Sequence, residues 1–283
     1  MKKVTLMAAL MIGGSAFSQN LQISEVNISS GTGTLGQQNG SLANFQQLAP
    51  SSSILTKDFS QFKPYNDFYF HGPGQMNTSQ SSFYSLQLGL QCAKMPKVTF
   101  RAGITHISNV GALSSQGSYS ETAAYDTLTS SQTGAITVID TSHIKNYNMN
   151  YSNQQIRLDG AMIFRMFPEN RWSLHAGLGA SIGMSYQATT EINYFEYSTA
   201  SQNGTGSGSN IQENERFKNK NSLGASLYIP MGVDFGIGKK RSFWMPFHLY
   251  MEARPSLNIN SINEIGTTFS PGMSTALGLR IKI

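Results

Sequence analysis

The sequence predicts an all-β fold: an antiparallel transmembrane β-barrel of eight strands, with ten as the alternative, long extracellular loops and a short helix-containing N-terminal cap. Three observations predict it. Apolar residues recur at every second position through several segments, short turns alternate with long polar excursions, and charge is scarce. The 283 residues are 39% hydrophobic but only 12% charged, against about 25% charged in ordinary globular domains. That deficit fits a surface bathed in lipid, where charge is costly. A secreted soluble sandwich is the main rival.

The clearest alternation runs from Trp172 to Gln187. Trp172, Leu174, Ala176, Leu178, Ala180, Ile182, Met184 and Tyr186 share one face. Ser173, His175, Gly177, Gly179, Ser181, Gly183, Ser185 and Gln187 share the other. A period of two sends alternate side chains to opposite faces of a strand. An apolar face with an aromatic at each end and a slim polar face suit a strand between lipid and a narrow lumen.

In chain order, the leader MKKVTLMAALMIGGSAFSQN has a basic start, a short apolar middle and small residues before Gln19. It predicts a signal peptide over 1–18, cleaved so that the mature chain starts at Gln19. No cysteine sits there to carry a lipid anchor. No later segment holds the ~20 apolar residues of a spanning helix. Leu21 to Ser29 is a weak strand. Ser41 to Pro50 predicts a short helix with Ser41 as N-cap and Pro50 as stop. Asp58 to Gly74 is rich in aromatics (Phe59, Phe62, Tyr65, Phe68, Tyr69, Phe70) without clean alternation. Residues 30–79 are therefore expected to form an extracellular cap or plug, within one barrel domain over 19–283.

Strand signals follow from Phe83 to Cys92, Val98 to Thr105, Ile156 to Met166, Trp172 to Gln187, Leu223 to Phe235, Phe243 to Arg254 and Thr275 to Ile283. With Leu21 to Ser29 they make eight; ten would need part of 59–72 or 132–140 to span. Short turns at 93–97, 167–171 and 238–242 alternate with polar excursions at 110–150, 188–220 and 260–271. Outer-membrane barrels combine short periplasmic turns with longer extracellular loops, which puts both termini on the periplasmic side. The leader, the alternation, the loop rhythm and the apolar last strand together resemble the small outer-membrane β-barrel proteins of Gram-negative bacteria, over roughly residues 80–283. The resemblance implies the cell outer membrane and a barrel; it assigns no activity.

The inward phase carries Arg101, Arg157, Asp159, Arg165, His175, Asp234, His248, Glu252, Arg254, Arg280 and Lys282. An eight-stranded barrel is just wide enough for side chains to fill it, and buried charges must pair. A lumenal salt-bridge network follows. A ring lining a pore is the functional alternative, and it needs a wider barrel. Gly177 to Gly183 superficially resembles a phosphate loop, but its glycines fall in phase on one strand, so they make room in the lumen instead.

Thr105-His106-Ile107-Ser108-Asn109 is the sharpest candidate for chemistry. His106 and Ser108 share the outward phase of Ile104, near the outer-leaflet boundary, where a polar pair is notable. A histidine can serve as base to a serine in acyl transfer when a carboxylate orients it. The HxSN string is similar to that of outer-membrane lipid A 3-O-deacylases. The resemblance implies His106 as base, Ser108 as nucleophile and Asn109 as oxyanion support, with no clear orienting acid; Glu121 lies in what reads as a loop. The plainer reading is a polar strand end entering the headgroup region.

Other classes are excluded. The five histidines, His71, His106, His143, His175 and His248, lack metal-ligand spacing, and no cofactor is expected. Cys92 is the sole cysteine, so no disulfide framework exists. Without Lys2 and Lys3 the formal charge falls from +5 to +3, and the remaining basic residues are scattered, which gives nucleic acid binding no case. The first functional reading is a non-enzymatic barrel with a structural or surface-interaction role. The second is a lipid A acyl hydrolase using His106 and Ser108, and the third a narrow pore. Expected partners are outer-membrane lipid and lipopolysaccharide, with envelope proteins contacted through the loops.

Overall fold

A computed structural model describes residues 21–36, 38–64, 78–93, 95–134, 136–202, 205–238 and 243–283. The expected leader and its cleavage point, Tyr65 to Phe70 and His71 lie outside the described residues. The strands are β1 (Leu21–Gly36), β2 (Gln38–Asn39), β3 (Lys63–Pro64), β4 (Thr78–Cys92), β5 (Val98–Thr129), β6 (Ile136–Met166), β7 (Trp172–Gln202), β8 (Thr205–Lys218), β9 (Leu223–Tyr228), β10 (Met231–Gly236), β11 (Phe247–Ile262) and β12 (Gly266–Lys282). One helix, α1 (Leu42–Leu48), lies between β2 and β3.

The pairings close a ring. β1 pairs β4, then β5, β6 and β7 follow in turn, β9 and β10 join β7 to β11, and β12 returns to β1. Pro230 lacks an N–H and drops out of the ladder between β9 and β10. The register nevertheless runs through it: Tyr228 faces Gly179 and Met231 faces Ala176. β9 and β10 are one barrel strand, and the antiparallel barrel has the expected eight. β1 supplies the strand that the sequence signals weakly.

A bulge at Ser24 explains that weakness. The ladder slips between Ile23 and Glu25, so strict alternation fails at this point. Ile23 faces outward, 52% exposed, while Glu25 two residues on points inward and is 1% exposed.

The upper segments correct the expected loops. The excursions at 110–150 and 188–220 are not loops: β5 and β6 stay paired to Thr129 and Ile136, and β7 and β8 to Gln202 and Thr205. Their upper halves form a four-stranded sheet standing on one side of the barrel mouth, and Glu121 belongs to its β5 strand. The excursion at 260–271 is a tight turn at 263–265, after which Gly266 takes a φ of +99°, a left-handed value that glycine tolerates. The cap is also shorter than expected, because β1 runs to Gly36 and β4 starts at Thr78.

Strand β6 carries the organising feature of the molecule. From Tyr147 to Met166 its odd-numbered residues point inward and its even-numbered ones outward, but the polarity of the two faces exchanges near Gln154 and Gln155. Below that level Arg157, Asp159 and Arg165 are buried inside and Ile156, Leu158, Met162 and Phe164 are exposed outside. Above it Tyr147, Met149 and Tyr151 are buried inside, while Asn146, Asn148 and Asn150 take the outward positions. A strand obeys one geometric period in both halves, so the change marks a change of surroundings. The lower exterior is continuous around the ring, with Leu86, Ile104, Leu178, Ile182, Leu227, Leu249 and Leu277 all exposed. So much exposed apolar surface is the hydrocarbon-facing belt of a transmembrane barrel. Aromatics edge it. Trp172 packs on Phe235 at 4.4 Å between ring centroids at the lower rim, beside Phe243, Trp244 and Phe247. Tyr84 and Tyr186 lie at the upper rim.

The cap covers the mouth. Ser41 caps α1: its Oγ accepts from Asn44 N, and its own N donates to Asn44 Oδ1 at 2.9 Å. Pro50 follows the last turn, as expected. Phe45, Leu48, Ile54, Leu55 and Phe59 bury their side chains against Leu113, Met149, Tyr151, Ile192 and Tyr194 of the upper sheet.

Candidate functional site: the lumen and the cap

Of the eleven inward-phase residues, ten (Arg101, Arg157, Asp159, Arg165, His175, Asp234, His248, Glu252, Arg254 and Arg280) are buried inside the barrel. Lys282, at the lower rim, is exposed. Glu25, absent from that set because of the Ser24 bulge, is central. Its carboxylate reaches Arg165 Nη2 at 2.8 Å, Arg280 Nη1 at 3.3 Å and Arg101 Nε at 3.4 Å.

Two more carboxylates complete the lower network. Glu252 accepts from Arg254 Nε at 2.5 Å and from Arg101 Nη1 at 2.9 Å, and His175 Nε2 lies 2.9 Å away. Asp234 takes two parallel bonds from Arg280, Nε at 2.6 Å and Nη2 at 2.8 Å, with His248 Nδ1 at 2.7 Å. Two-pronged guanidinium–carboxylate bonds fix geometry as well as charge. The network crosses the bore from β1 to β5, β6, β7, β10, β11 and β12. Higher up, Asp159 Oδ1 accepts from Tyr228 OH at 2.5 Å and Gln87 Nε2 at 2.9 Å. Arg157 Nε donates to Gln155 Oε1 at 2.7 Å.

Two glycines make the network possible. A Cβ at Gly89 would fall 2.1 Å from Glu25 Cγ, and one at Gly179 would fall 2.2 Å from Tyr228 Cζ. Both positions need hydrogen so that a large neighbour can cross the strand, which is the room-making role expected for the glycines of Gly177 to Gly183.

A second polar cluster fastens the cap to β8. Glu215 accepts from Ser53 N at 3.0 Å and Ser53 Oγ at 2.6 Å, and also bonds Ser52 Oγ. Lys57 Nζ reaches Glu213 at 2.7 Å and lies 4.1 Å from the centre of the Tyr194 ring. Burial works to raise the Glu215 carboxyl, but the hydrogen bonds from Ser52 and Ser53 outweigh it and hold it below the ordinary range. The Tyr194 hydroxyl, partly buried and donating to Glu196, is pushed up to about 12. Sequence reading missed both glutamates because it took 188–220 for a loop.

His106 and Ser108 do face outward as expected, but they do not engage each other. His106 Nε2 lies 2.8 Å from Tyr186 OH, which in turn donates to Gln154 Oε1 at 2.5 Å. Ser108 Oγ donates to Ser82 O at 3.2 Å. Asn109 has a φ of 56° at the β5 bulge, and its Nδ2 donates to Gln80 O at 3.1 Å. Glu121 accepts from Tyr119 instead of orienting His106. The group stands at the level where β6 exchanges polarity, and it has the chemistry of a rim: amphipathic rings with polar tips at the edge of an apolar belt. Among the described residues no cluster of three or more histidine, cysteine, aspartate or glutamate side chains has metal-binding geometry.

No family model matches the sequence, and no curated protein does. Among solved structures the chain is similar to Neisserial surface protein A, at 9% identity over 94% of this chain and 100% of that one, with a TM-score of 0.36. It is also similar to Ail, the attachment invasion locus protein of Yersinia pestis, at 11% identity over 93% and 100%, with a TM-score of 0.25. OprB of Pseudomonas putida follows at 7% identity over 95% and 96%, with a TM-score of 0.16. At these values the barrel rests on its own strand pairings. The likeness to lipid A 3-O-deacylases finds no support in these matches.

Proposed function

We propose that this protein is an outer-membrane barrel that holds a rigid sheet above the cell surface for contact with other molecules, with its lumen shut. The carrying observation is the polarity exchange in β6. The lower half of the strand is dressed for lipid outside and for ion pairs inside. The upper half buries apolar side chains where the cap covers it, and between Asn146 and Gln154 its free face offers amides and hydroxyls to water, with Ile136 and Val138 exposed only near its far end. On this reading the 93–97 and 167–171 turns are periplasmic, and the upper sheet and cap are extracellular.

The free face has the composition of a recognition surface. Gln116, Asn148 and Asn193 lie in one row across β5, β6 and β7, and Asn146, Phe195 and Gln212 in the next across β6, β7 and β8. The Phe195 and Tyr197 rings stack with their planes 12° apart. Adaptable amides beside rigid rings suit contact with polar partners. Lipid and lipopolysaccharide would surround the belt, and envelope or foreign molecules would meet the sheet.

Two measurements test this. Purified protein in planar bilayers is expected to give no conductance at high loading, because Glu25, Asp234 and Glu252 tie the lumen across; steady single-channel steps would favour the pore instead. A membrane-impermeant maleimide is expected to label Asn148→Cys on intact cells. Labelling only after lysis would overturn the outward sheet.

A further inference from the structure

The interior charge does not balance. Five arginines are buried inside the barrel (Arg101, Arg157, Arg165, Arg254 and Arg280) against four carboxylates (Glu25, Asp159, Asp234 and Glu252). Four of the arginines have a carboxylate within ion-pair distance; among the described residues Arg157 has none. It is 2% exposed, among the most deeply buried large side chains. Its Nε and Nη1 donate to neutral oxygens, Gln155 Oε1 and Ser226 Oγ at 3.2 Å, and its Nη2 meets no acceptor among the described residues. A buried charge left in this condition is costly unless something compensates it.

Arg157 also borders a chamber. A small cavity of about 60 Å³ lies above the lower ion-pair network, walled by Arg157, Ser181, Ser226, Arg254, Asp159 and Tyr228 among others. Donors dominate the wall nearest Arg157. Ser181 and Ser226 hydroxyls lie 2.7 Å apart beside it. Arg254, already bonded to Glu252, stands across the chamber over the Tyr228 ring at 5.6 Å. Asp159 is the one carboxylate on the wall. Its Oδ1 takes the bonds from Tyr228 and Gln87, and it lies outside ion-pair distance of Arg157. Asp159 acts on Arg157 only at longer range, and no carboxylate of the described residues bonds Nη2.

We infer that this chamber binds a small anion, of the size of a halide or a short carboxylate, with Arg157 Nη2 as the charged donor and the hydrogen-bonded Ser181–Ser226 pair supplying one hydroxyl proton in support. The anion supplies the negative charge that the side chains lack, and it seats against the Arg157 side chain where that side chain lines the cavity. The site is independent of what the upper sheet contacts.

Crystals of the full chain soaked in sodium bromide test it directly. An anomalous peak within hydrogen-bond reach of Arg157 Nη2 is expected. Water alone at that atom, or bromide only on the exterior, would overturn the inference. In solution, the refolded wild type should broaden the chlorine-35 resonance, and added acetate should reverse the broadening. Arg157→Gln should weaken binding about tenfold or more, the loss of a charge-assisted hydrogen bond; unchanged broadening in that variant would overturn the site. If Arg157→Gln fails to refold, Ser226→Ala keeps the guanidinium and is expected to weaken chloride binding severalfold, and the wild-type bromide peak stands as a separate test.

Discussion

The lower barrel and the upper sheet are built from the same strands, yet they are held together in opposite ways. In the lower half the inside is ionic and the outside is apolar. In the upper half the inside is apolar, where Phe45, Ile54 and Phe59 meet Met149, Tyr151 and Ile192, and opposite the cap the outside carries Asn146, Asn148 and Asn150. Backbone pairing is continuous through both, as in β6 and β7, which stay in register from Met166 and Leu174 up to Ile139 and Gln202 with one slip near Gln154. The hydrophobic effect therefore selects side-chain direction only relative to the local solvent. Lipid below and water above turn one period into two patterns.

The largest expected effect comes from breaking the ionic half. Glu25→Ala leaves Arg165 and part of Arg101 and Arg280 without their carboxylate, and the loss should be about 3–5 kcal/mol. Denaturant unfolding in detergent, followed on gels by heat-modifiable migration, would measure it. A variant as stable as wild type would show that the interior is wet enough to screen these charges.

The contrast between halves is sharpened by placing the same residue in each. Leu158→Arg, in the belt, should cost about 2–4 kcal/mol at mid-depth. Asn148→Arg, on the free face above, should change stability by no more than about 0.5 kcal/mol. Equal penalties would remove the distinction between the two surroundings. Gly179→Val attacks the lumen's packing instead of its charge. It should cost about 1–3 kcal/mol, because the Tyr228 ring must leave its place, and Gly179→Val paired with Tyr228→Ala should recover part of that loss.

The smallest effect belongs to the cap. Glu215 is held below the ordinary carboxylate range by its serine partners. The sign follows: the latch is fully present above the ordinary carboxylate pKa and is lost as pH falls through the lowered one. Amide exchange at Ser53 to Lys57 should therefore quicken only under acid conditions, and Glu215→Gln should abolish that dependence. The contribution should be of the order of 1 kcal/mol or less at a partly solvated site.

Much of the lower half was legible because lipid imposes a strict two-residue rhythm, and ten of the eleven inward-phase residues are buried, Lys282 at the lower rim being the exception. The failures have physical causes. Glu25 was hidden by one extra residue at Ser24, which breaks phase without leaving any compositional trace. The upper sheet was taken for loops because Asn, Ser and Thr occupy its water-facing positions, and its apolar partners, Leu113, Met149 and Ile192, need the cap to explain them. His106 and Ser108 attracted a catalytic reading through residue type alone. Their hydrogen bonds go to Tyr186 and Ser82 instead.

The account stands on the polarity exchange in β6 being the edge of the hydrocarbon. Single cysteines at the outward positions Asn146, Asn150, Gln154, Leu158 and Met162, introduced after Cys92→Ser, can be probed in intact outer-membrane vesicles with an impermeant maleimide. Strong labelling at 146 and 150, a sharp fall at 154 and silence at 158 and 162 is the expected profile. Labelling at 158 and 162 equal to that at 146 would contradict it.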